Sequence, residues 1–201
     1  MILKVPFYIQ GHNECGPASL QMALEYFGMK KEREEIKKLL DSESTGATWT
    51  VNLAKAAAEL GFKVEFYTTK LGVNTENFKL DYYKKETDGQ NSAEEKLKKI
   101  ISECIKLNVK LEEKSLDIKE ITSKVNENCI AIALIEWGKI IGINRYIGHI
   151  VPIIGYDEEN IYIHQPGPKD PEANFAISHD LFDKARKALG TDEDLVFIHR
   201  K

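Results

Sequence analysis

A cysteine at the start of a predicted helix is the first residue of this chain that could act as a nucleophile. Cys15 stands directly before Gly16-Pro17, and apolar residues recur at helical spacing over 20–27, up to Gly28. Proline in the first turn and glycine just past the last turn are typical helix boundaries. A thiol at a helix start lies near unpaired N–H groups and the positive end of the helix dipole, which favour the thiolate. The pattern predicts a reactive Cys15; a buried, unreactive cysteine is the alternative.

The other cysteines give no sign of a metal site or a disulfide framework. Three cysteines are an odd number, and Cys104 and Cys129 are too widely spaced for a C-x-x-C pair. We therefore expect reduced thiols, no metal and no cofactor, with Cys104 and Cys129 in the core. The two tryptophans, Trp49 and Trp137, are expected to fill the core as well, with a place in the wall of the substrate groove as the alternative.

A thiol nucleophile needs a proton partner, and His149 is the leading candidate. It follows Gly148 at the head of an apolar run, so its ring is expected to project from the edge of a sheet. His12 lies three residues before Cys15 and could line the same cleft. The remaining histidines stand at a helix start or at strand ends, where a structural or surface role is the simpler interpretation: His164, His179 and His199.

Helices dominate the first part of the chain and strands the last third. Helical spacing of apolar residues predicts helices over about 17–28, 31–40, 48–61 (capped by Thr48), 92–104, 116–126 and 178–190. Alternating or continuous apolar runs predict strands over 62–68, 129–137, 149–156, 160–164 and 195–199. The polar segment 71–91 predicts an irregular cover. Helices followed by strands indicate an α+β domain, with N-terminal helices packed on a C-terminal antiparallel sheet.

Several motifs together resemble the C39-like cysteine peptidases, a family with a papain-like fold. They lie in both halves of the chain: Gln10, Cys15-Gly16-Pro17-Ala18-Ser19, Tyr26-Phe27-Gly28, Gly148-His149-Ile150-Val151, Gly155-Tyr156 and a strand ending before Pro166. Segments 56–66 and 128–137 are similar too, so the resemblance covers most of the chain, while about 70–115 looks like an insertion. It implies one domain, 1–201, with the papain-like fold.

Carried over position by position, the resemblance implies a catalytic set. Cys15 would be the nucleophile, and His149 its base and later its acid. The side-chain amide of Gln10 would form an oxyanion hole with the Cys15 backbone N–H. Gln10 precedes Cys15 by five residues, one fewer than is common in the family.

The third position of the set departs further from the family. Where the family places Asp or Asn before a proline, this chain has Gln165 before Pro166. A glutamine carbonyl can accept the second ring N–H of His149, but the longer, uncharged side chain is expected to be mobile and to support an imidazolium less well. Asp157, in the turn between the two strands, is the substitute, expected at the far end of the hairpin.

The bulk properties exclude several classes of function. The chain has 28 basic and 32 acidic residues, a net charge of −4, and no basic block, so nucleic acid is not an expected partner. It lacks the features of a signal peptide and any apolar run of membrane-spanning length. A soluble, cytoplasmic protein without a membrane partner is the default expectation.

The sequence thus predicts a cysteine peptidase or related amide hydrolase acting on a peptide or a small amide. A binding module that has lost efficient catalysis is one alternative, because the third position is not acidic. An acyl transferase is another, since it shares the thioester chemistry until an acceptor other than water attacks.

Overall fold

The computed structural model describes residues 1–41, 48–86 and 90–201. Within them the helices are α1 Cys15–Tyr26, α2 Arg33–Leu39, α3 Thr50–Glu59, a 3-10 turn Thr75–Lys79, α4 Asp81–Glu86, α5 Gln90–Lys106, α6 Ile118–Lys124, α7 Trp137–Ile141 and α8 His179–Arg186. The strands are β1 Lys63–Thr68, β2 Lys110–Glu113, β3 Cys129–Glu136, β4 Gly148–Tyr156, β5 Asn160–Gln165, β6 Glu172–Ser178 and β7 Leu195–His199.

One seven-stranded sheet, in the order β2-β1-β7-β3-β4-β5-β6, forms the centre of the molecule. Its neighbouring strands pair antiparallel except β1 and β2, which are parallel. The Ile- and Val-rich strands β3, β4 and β7 are buried almost throughout, as strands covered on both faces are. The predicted α+β class is confirmed, and the sheet extends beyond the antiparallel C-terminal strands through β1 and β2.

Helix α1 lies directly against β4. Residues 16–24 of the helix are all buried, and the Ser19 hydroxyl donates a hydrogen bond of 2.9 Å to the Ile150 carbonyl. A buried hydroxyl needs such a partner, so this bond fixes the helix against the strand. Because Cys15 begins the helix and His149 precedes Ile150, the contact brings the two ends of the predicted catalytic pair together.

The segment 71–91 is more regular than predicted. It contains the 3-10 turn, α4 and the first residues of α5, and residues 87–89 of it lie outside the described residues. Two buried side chains, Asn77 and Tyr83, anchor it to the turn at Gly190 through hydrogen bonds of 3.1 and 2.5 Å. Polar anchoring of this kind leaves no apolar periodicity in the sequence.

Other departures involve short or exposed elements. No pattern in the sequence predicts β2 or α7, which are four and five residues long, or β6, an exposed edge strand. Helix α3 begins at Thr50 with Trp49 as its N-cap, so the predicted cap at Thr48 is wrong. Helix α5 begins at Gln90 rather than at Ser92.

Candidate active site

A fixed loop presents Cys15 at the first turn of α1. The Glu14 carboxylate accepts the Gly11 N–H at 3.1 Å and forms ion pairs with Arg33 and Lys37 at 3.3 and 3.1 Å. A Cβ on Gly11 would lie 2.6 Å from a Glu14 oxygen, so any other residue there would displace the Glu14 carboxylate. Glu14 therefore orders the chain that leads into the thiol.

The Cys15 thiol is half-buried and rests against β4. Backbone N–H groups of Ile150, Gly16 and Cys15 itself act on the sulfur and lower its pKa. Burial acts more strongly in the opposite direction, so the pKa of Cys15 is raised above the usual 9.0. The N–H groups at the helix start thus act on Cys15 in the predicted direction, but burial has the larger effect on its pKa.

His149 is buried, with 5% of its surface exposed, and its Nε2 lies 3.1 Å from Gln165 Oε1. Gln165 is 1% exposed and fully engaged: Oε1 also accepts the Gly167 N–H at 2.6 Å, and Nε2 donates to the carbonyls of Lys169 and Asp170 at 2.8 and 3.0 Å. The expected mobility of this longer side chain is therefore not found.

The same hydrogen bonds fix the orientation of the Gln165 amide and the tautomer of His149. Reversing the amide would set its oxygen against two carbonyl oxygens, so Oε1 must face the histidine. Since that oxygen only accepts, His149 Nε2 carries the proton and donates. The lone pair of Nδ1 remains available as a base.

The surroundings of His149 keep its ring neutral. Burial lowers its pKa to about 4, and the hydrogen bond to Gln165 raises it only in part. The Trp137 ring lies 5.4 Å from the imidazole, at 60°, and also packs on Phe175. Trp137 therefore covers His149 in addition to packing on Phe175.

Glu136 is a positioning residue that sequence reasoning missed. It is 4% exposed, and its carboxylate accepts the N–H groups of Gly138, Lys139 and Ile147 at 2.8, 3.0 and 3.1 Å. It thereby ties the start of α7 to the residues just before β4. In the sequence, the only sign of this role is a single acidic residue at the end of an apolar strand.

The two other predicted site residues lie in different places. Gln10 is 8% exposed. Its backbone N–H donates a hydrogen bond of 2.8 Å to the carbonyl of Pro166, the residue that follows Gln165. Its Nε2 donates to the Gly11 carbonyl at 3.2 Å, and its buried Oε1 has no partner among the described residues. Asp157 is occupied in its own turn, accepting from the Tyr162 hydroxyl at 2.6 Å.

The backbone N–H of Ile150, the residue after His149, acts on the Cys15 sulfur. Among the described residues, Cys15 and His149 form no hydrogen bond with each other. Long or missing catalytic hydrogen bonds are common where no substrate is bound.

Cys104 and Cys129 are buried free thiols with raised pKa values, about 11 and about 12. Their predicted place in the core is confirmed.

The remaining histidines do not join the site. His12 is exposed, and His164 lies in the core, where its Nε2 donates to the Val5 carbonyl at 2.9 Å. His199 lies 2.9 Å from Glu65 at the other end of the sheet. Within residues 1–41, 48–86 and 90–201, no three His, Cys, Asp or Glu side chains are grouped to hold a metal ion.

A cavity of about 440 Å³ opens beside the thiol. Cys15, Gly148 and Ile150 line it, and His149 is not among its lining residues. Thr48 also lines it, and its buried hydroxyl has no hydrogen-bond partner among the described residues. Pockets of this size hold small molecules or single side chains.

The fold is that of C39 peptidases. A C39-like peptidase from Bacillus anthracis has a TM-score of 0.59 at 14% identity, covering 100% of this chain and 98% of that one. A double-glycine motif protease of an AMS/PCAT transporter, solved with its leader peptide, has a TM-score of 0.53 at 20% identity, covering 98% and 94%. The peptidase domain of Streptococcus ComA gives 0.53 at 13%, with 98% of both chains covered. The predicted papain-like fold is confirmed.

Sequence comparison identifies a different family from the one suggested by the motifs. Guanylyl cyclase 1 of Arabidopsis thaliana is 27% identical over 201 residues, which cover 92% of this chain and 72% of the relative. No helix in the described ranges has the length and apolar character needed to cross a membrane. The family model described as guanylylate cyclase matches residues 5–198, so the chain belongs to the guanylylate cyclase family.

Proposed function

We propose that the chain is a thiol-dependent hydrolase of peptides or small amides, with Cys15 as nucleophile and His149 as proton carrier. The observation that carries the proposal is the 3.1 Å contact between His149 Nε2 and Gln165 Oε1. This contact leaves Nδ1 of His149 available as a base. The next residue, Ile150, has a backbone N–H group that acts on the Cys15 sulfur. A similar solved protease holds a leader peptide, which supports an amide substrate.

In the proposed reaction the Cys15 proton passes to Nδ1 of His149 as the sulfur attacks the amide carbon. The backbone N–H of Cys15 stabilises the oxyanion, joined by Gln10 Nε2 once it leaves the Gly11 carbonyl. His149 returns the proton to the leaving amine, the C–N bond breaks, and a thioester remains. Water, deprotonated by His149, then hydrolyses the thioester. Both groups start neutral because burial raises one pKa and lowers the other.

Turnover of a library of peptides and small amides, followed by mass spectrometry of products and protein, tests the proposal. We expect an acyl adduct on Cys15 and a loss of turnover of about 10³-fold or more in Cys15→Ala and His149→Ala. Cys104→Ala and Cys129→Ala are matched controls that keep the nucleophile. Full turnover by Cys15→Ala would refute the hydrolase.

The same experiment separates the two related alternatives. An adduct that is released only when an amine is added indicates an acyl transferase. Binding of a library member without any adduct indicates a binding module that has lost catalysis.

A second candidate function is the guanylyl cyclase activity named for the Arabidopsis relative. The observation in its favour is that exposed cations line the cavity: Lys70, Lys99 and Arg145. Cations of this kind could bind phosphates, while Trp49 in the same cavity offers a ring for a base to stack on.

Formation of cyclic GMP from GTP in the presence of a divalent cation tests the second candidate. A cyclase in this cavity should keep its activity in Cys15→Ala, because the thiol has no part in cyclisation, and lose it in Arg145→Gln. Absence of cyclic GMP, or activity unchanged in Arg145→Gln, would speak against it.

A further inference from the structure

Two aspartates just before or at the start of β7 line the same cavity as Cys15. The Asp192 carboxylate accepts hydrogen bonds from the side-chain amides of Asn74 and Asn77, both at 2.7 Å. The Asp194 carboxyl interacts with the Thr50 and Thr68 side chains. All of these partners are neutral.

Neither carboxyl forms an ion pair in the described part of the chain. Burial raises the pKa of Asp192, and burial together with the nearby Asp192 charge raises the pKa of Asp194 to about 8. A buried acid is normally paired with a cation or hydrogen-bonded until its charge is tolerated. Here the pair lacks a positive partner, and the cavity gives one access.

Aromatic rings line the cavity as well. Trp49 lies 6.3 Å from Tyr83, Tyr83 lies 6.1 Å from Tyr146, and Tyr146 lies 5.4 Å from Tyr82. The hydroxyls of Tyr83 and Tyr146 both donate to the Gly190 carbonyl, at 2.5 and 2.6 Å. Ring faces attract cations, and more strongly where water is excluded.

A buried amide adds a further acceptor to the cavity wall. Asn52 is 7% exposed and donates through Nδ2 to the Leu40 carbonyl at 3.3 Å. A donor-rich group entering the cavity would thus meet a side-chain amide in addition to two carboxyl groups.

The cations of the cavity lie toward solvent. Lys70, Lys96, Lys99 and Arg145 are exposed, so water and salt screen their charges. Lys55 is paired with Glu59 and Glu103, at 3.8 and 3.3 Å. The exposed cations thus lie toward solvent, whereas Asp192 and Asp194 are partly buried, and a cation bound beside them would favour the ionised form of Asp194.

We propose that Asp192 and Asp194, with the surrounding aromatic rings, bind the cationic side chain of an amide substrate whose carbonyl is presented to Cys15. A lysine-type ammonium or an arginine-type guanidinium has the required charge and donors. This assignment of specificity rests on the proposed hydrolase function. It makes the two aspartates specificity-determining residues rather than parts of the catalytic set.

Two matched compounds provide the binding test: Nα-acetyl-lysinamide and its uncharged analogue Nα-acetyl-norleucinamide, measured by calorimetry on Cys15→Ala, which cannot turn them over. We expect the lysine compound to bind about tenfold or more tightly, as a charge-assisted hydrogen bond provides. Asp194→Asn and Asp192→Asn should each reduce that preference toward unity. Asp41→Asn, an equal charge change at an exposed residue lining the cavity, is the control and should leave it unchanged.

Hydrolysis of the coumarin amides of acetyl-lysine and acetyl-norleucine by the unmutated chain provides the second readout. Selective binding without hydrolysis would overturn the proposed function and keep the specificity proposal. Hydrolysis of both compounds at equal rates, with equal binding, would overturn the specificity proposal alone. Binding of GTP that depends on Asp194, without preference for lysine, would also overturn it, because the acceptors would then serve a nucleotide base.

Discussion

Gln165 has a chemical reason to be an amide. It must accept hydrogen bonds from His149 and Gly167 on one side and donate to two backbone carbonyls on the other. A carboxylate could do the first but would repel the carbonyls. The absence of an acid, which from the sequence suggested a weakened site, is therefore explained by the loop that follows β5.

Gln165→Glu should accordingly weaken the protein instead of improving it. Two buried carbonyls lose their donor, so the free energy of unfolding should fall by about 2–4 kcal/mol, and turnover should fall with the orientation of His149. Urea unfolding and library turnover at pH 7 measure both effects.

Gln21→Glu is the matched control for that substitution. Gln21 is also buried, at 8% exposed. Its Nε2 donates to one carbonyl, that of Lys31 at 3.0 Å, and its Oε1 accepts from Arg33 at 2.8 Å, so a glutamate there loses one donor but gains a cation. Its stability should change by less than about 1 kcal/mol. If Gln165→Glu instead raised turnover, the amide would not be what the loop requires.

The thiol of Cys15 should titrate late. Because burial outweighs the N–H groups, the midpoint of iodoacetamide alkylation is expected above that of a free cysteine in the folded chain. In urea the same residue should return to the ordinary value, about 8.5. A folded-state midpoint well below 8 would mean that His149 and Cys15 rest as an ion pair, contrary to their burial.

At the scale of elements, the site depends on how α7 and β4 are joined. Glu136 accepts three N–H groups from this connection, and the connection sets Trp137 over His149. Gly138 lies at its tightest point, where a Cβ would collide with the Arg145 carbonyl oxygen and lie 2.6 Å from Glu136 Oε1. The position of the base thus depends on a turn of backbone rather than on the strand alone.

Gly138→Ala tests this dependence. The added methyl group should lower the free energy of unfolding by about 1–3 kcal/mol, typical of overpacking, and change the emission of Trp137 in a Trp49→Phe background. Fluorescence and urea unfolding report the two effects.

Gly142→Ala serves as the control in the same turn. It meets no atom within 4 Å and pays only for its left-handed φ of 70°, about 1 kcal/mol. Its Trp137 emission should stay unchanged. Equal emission changes in the two variants would show that the turn does not position the tryptophan.

Elements with a strong apolar pattern could be predicted from the sequence, and those held by polar contacts could not. Helix α1 and strands β3 and β4 bury nearly every residue, so their periodicity appears in the sequence. The residues 192–194 resemble a solvated acidic turn, yet Asn74 and Asn77 hold Asp192 against the cavity from more than a hundred residues away. Local sequence carries no trace of such a contact.

For the whole molecule, fold and family point to different chemistries. The papain-like fold brings a thiol and an imidazole together, while the family is named for a nucleotide cyclase. Both candidate functions use one cavity, whose wall includes residues of the sheet, of helices α3 and α5 and of the segment between β1 and α5. Asp194 lies in this wall, so its protonation is expected to affect the stability of the whole chain.

The raised pKa of Asp194 should be visible in the pH dependence of the free energy of unfolding. The pKa of Asp194 is raised from 3.8 to about 8, so between these values the folded chain holds a proton that the unfolded chain releases. Stability is then highest at low pH and falls as pH rises through this window, by up to about 1.4 kcal/mol per pH unit. Asparagine at position 194 cannot ionise. The Asp194→Asn variant should therefore lose this pH-dependent contribution to stability and keep those of the other titrating groups.

The difference in unfolding free energy between the unmutated chain and Asp194→Asn isolates this contribution, because His149, whose own term rises with pH between about 4 and 6.5, titrates in both proteins. Urea unfolding at pH 5 and pH 8 should show the unmutated chain losing at least about 1 kcal/mol relative to the variant. A constant difference would mean that Asp194 is charged throughout, and hence that a cation within the protein already neutralises the cavity.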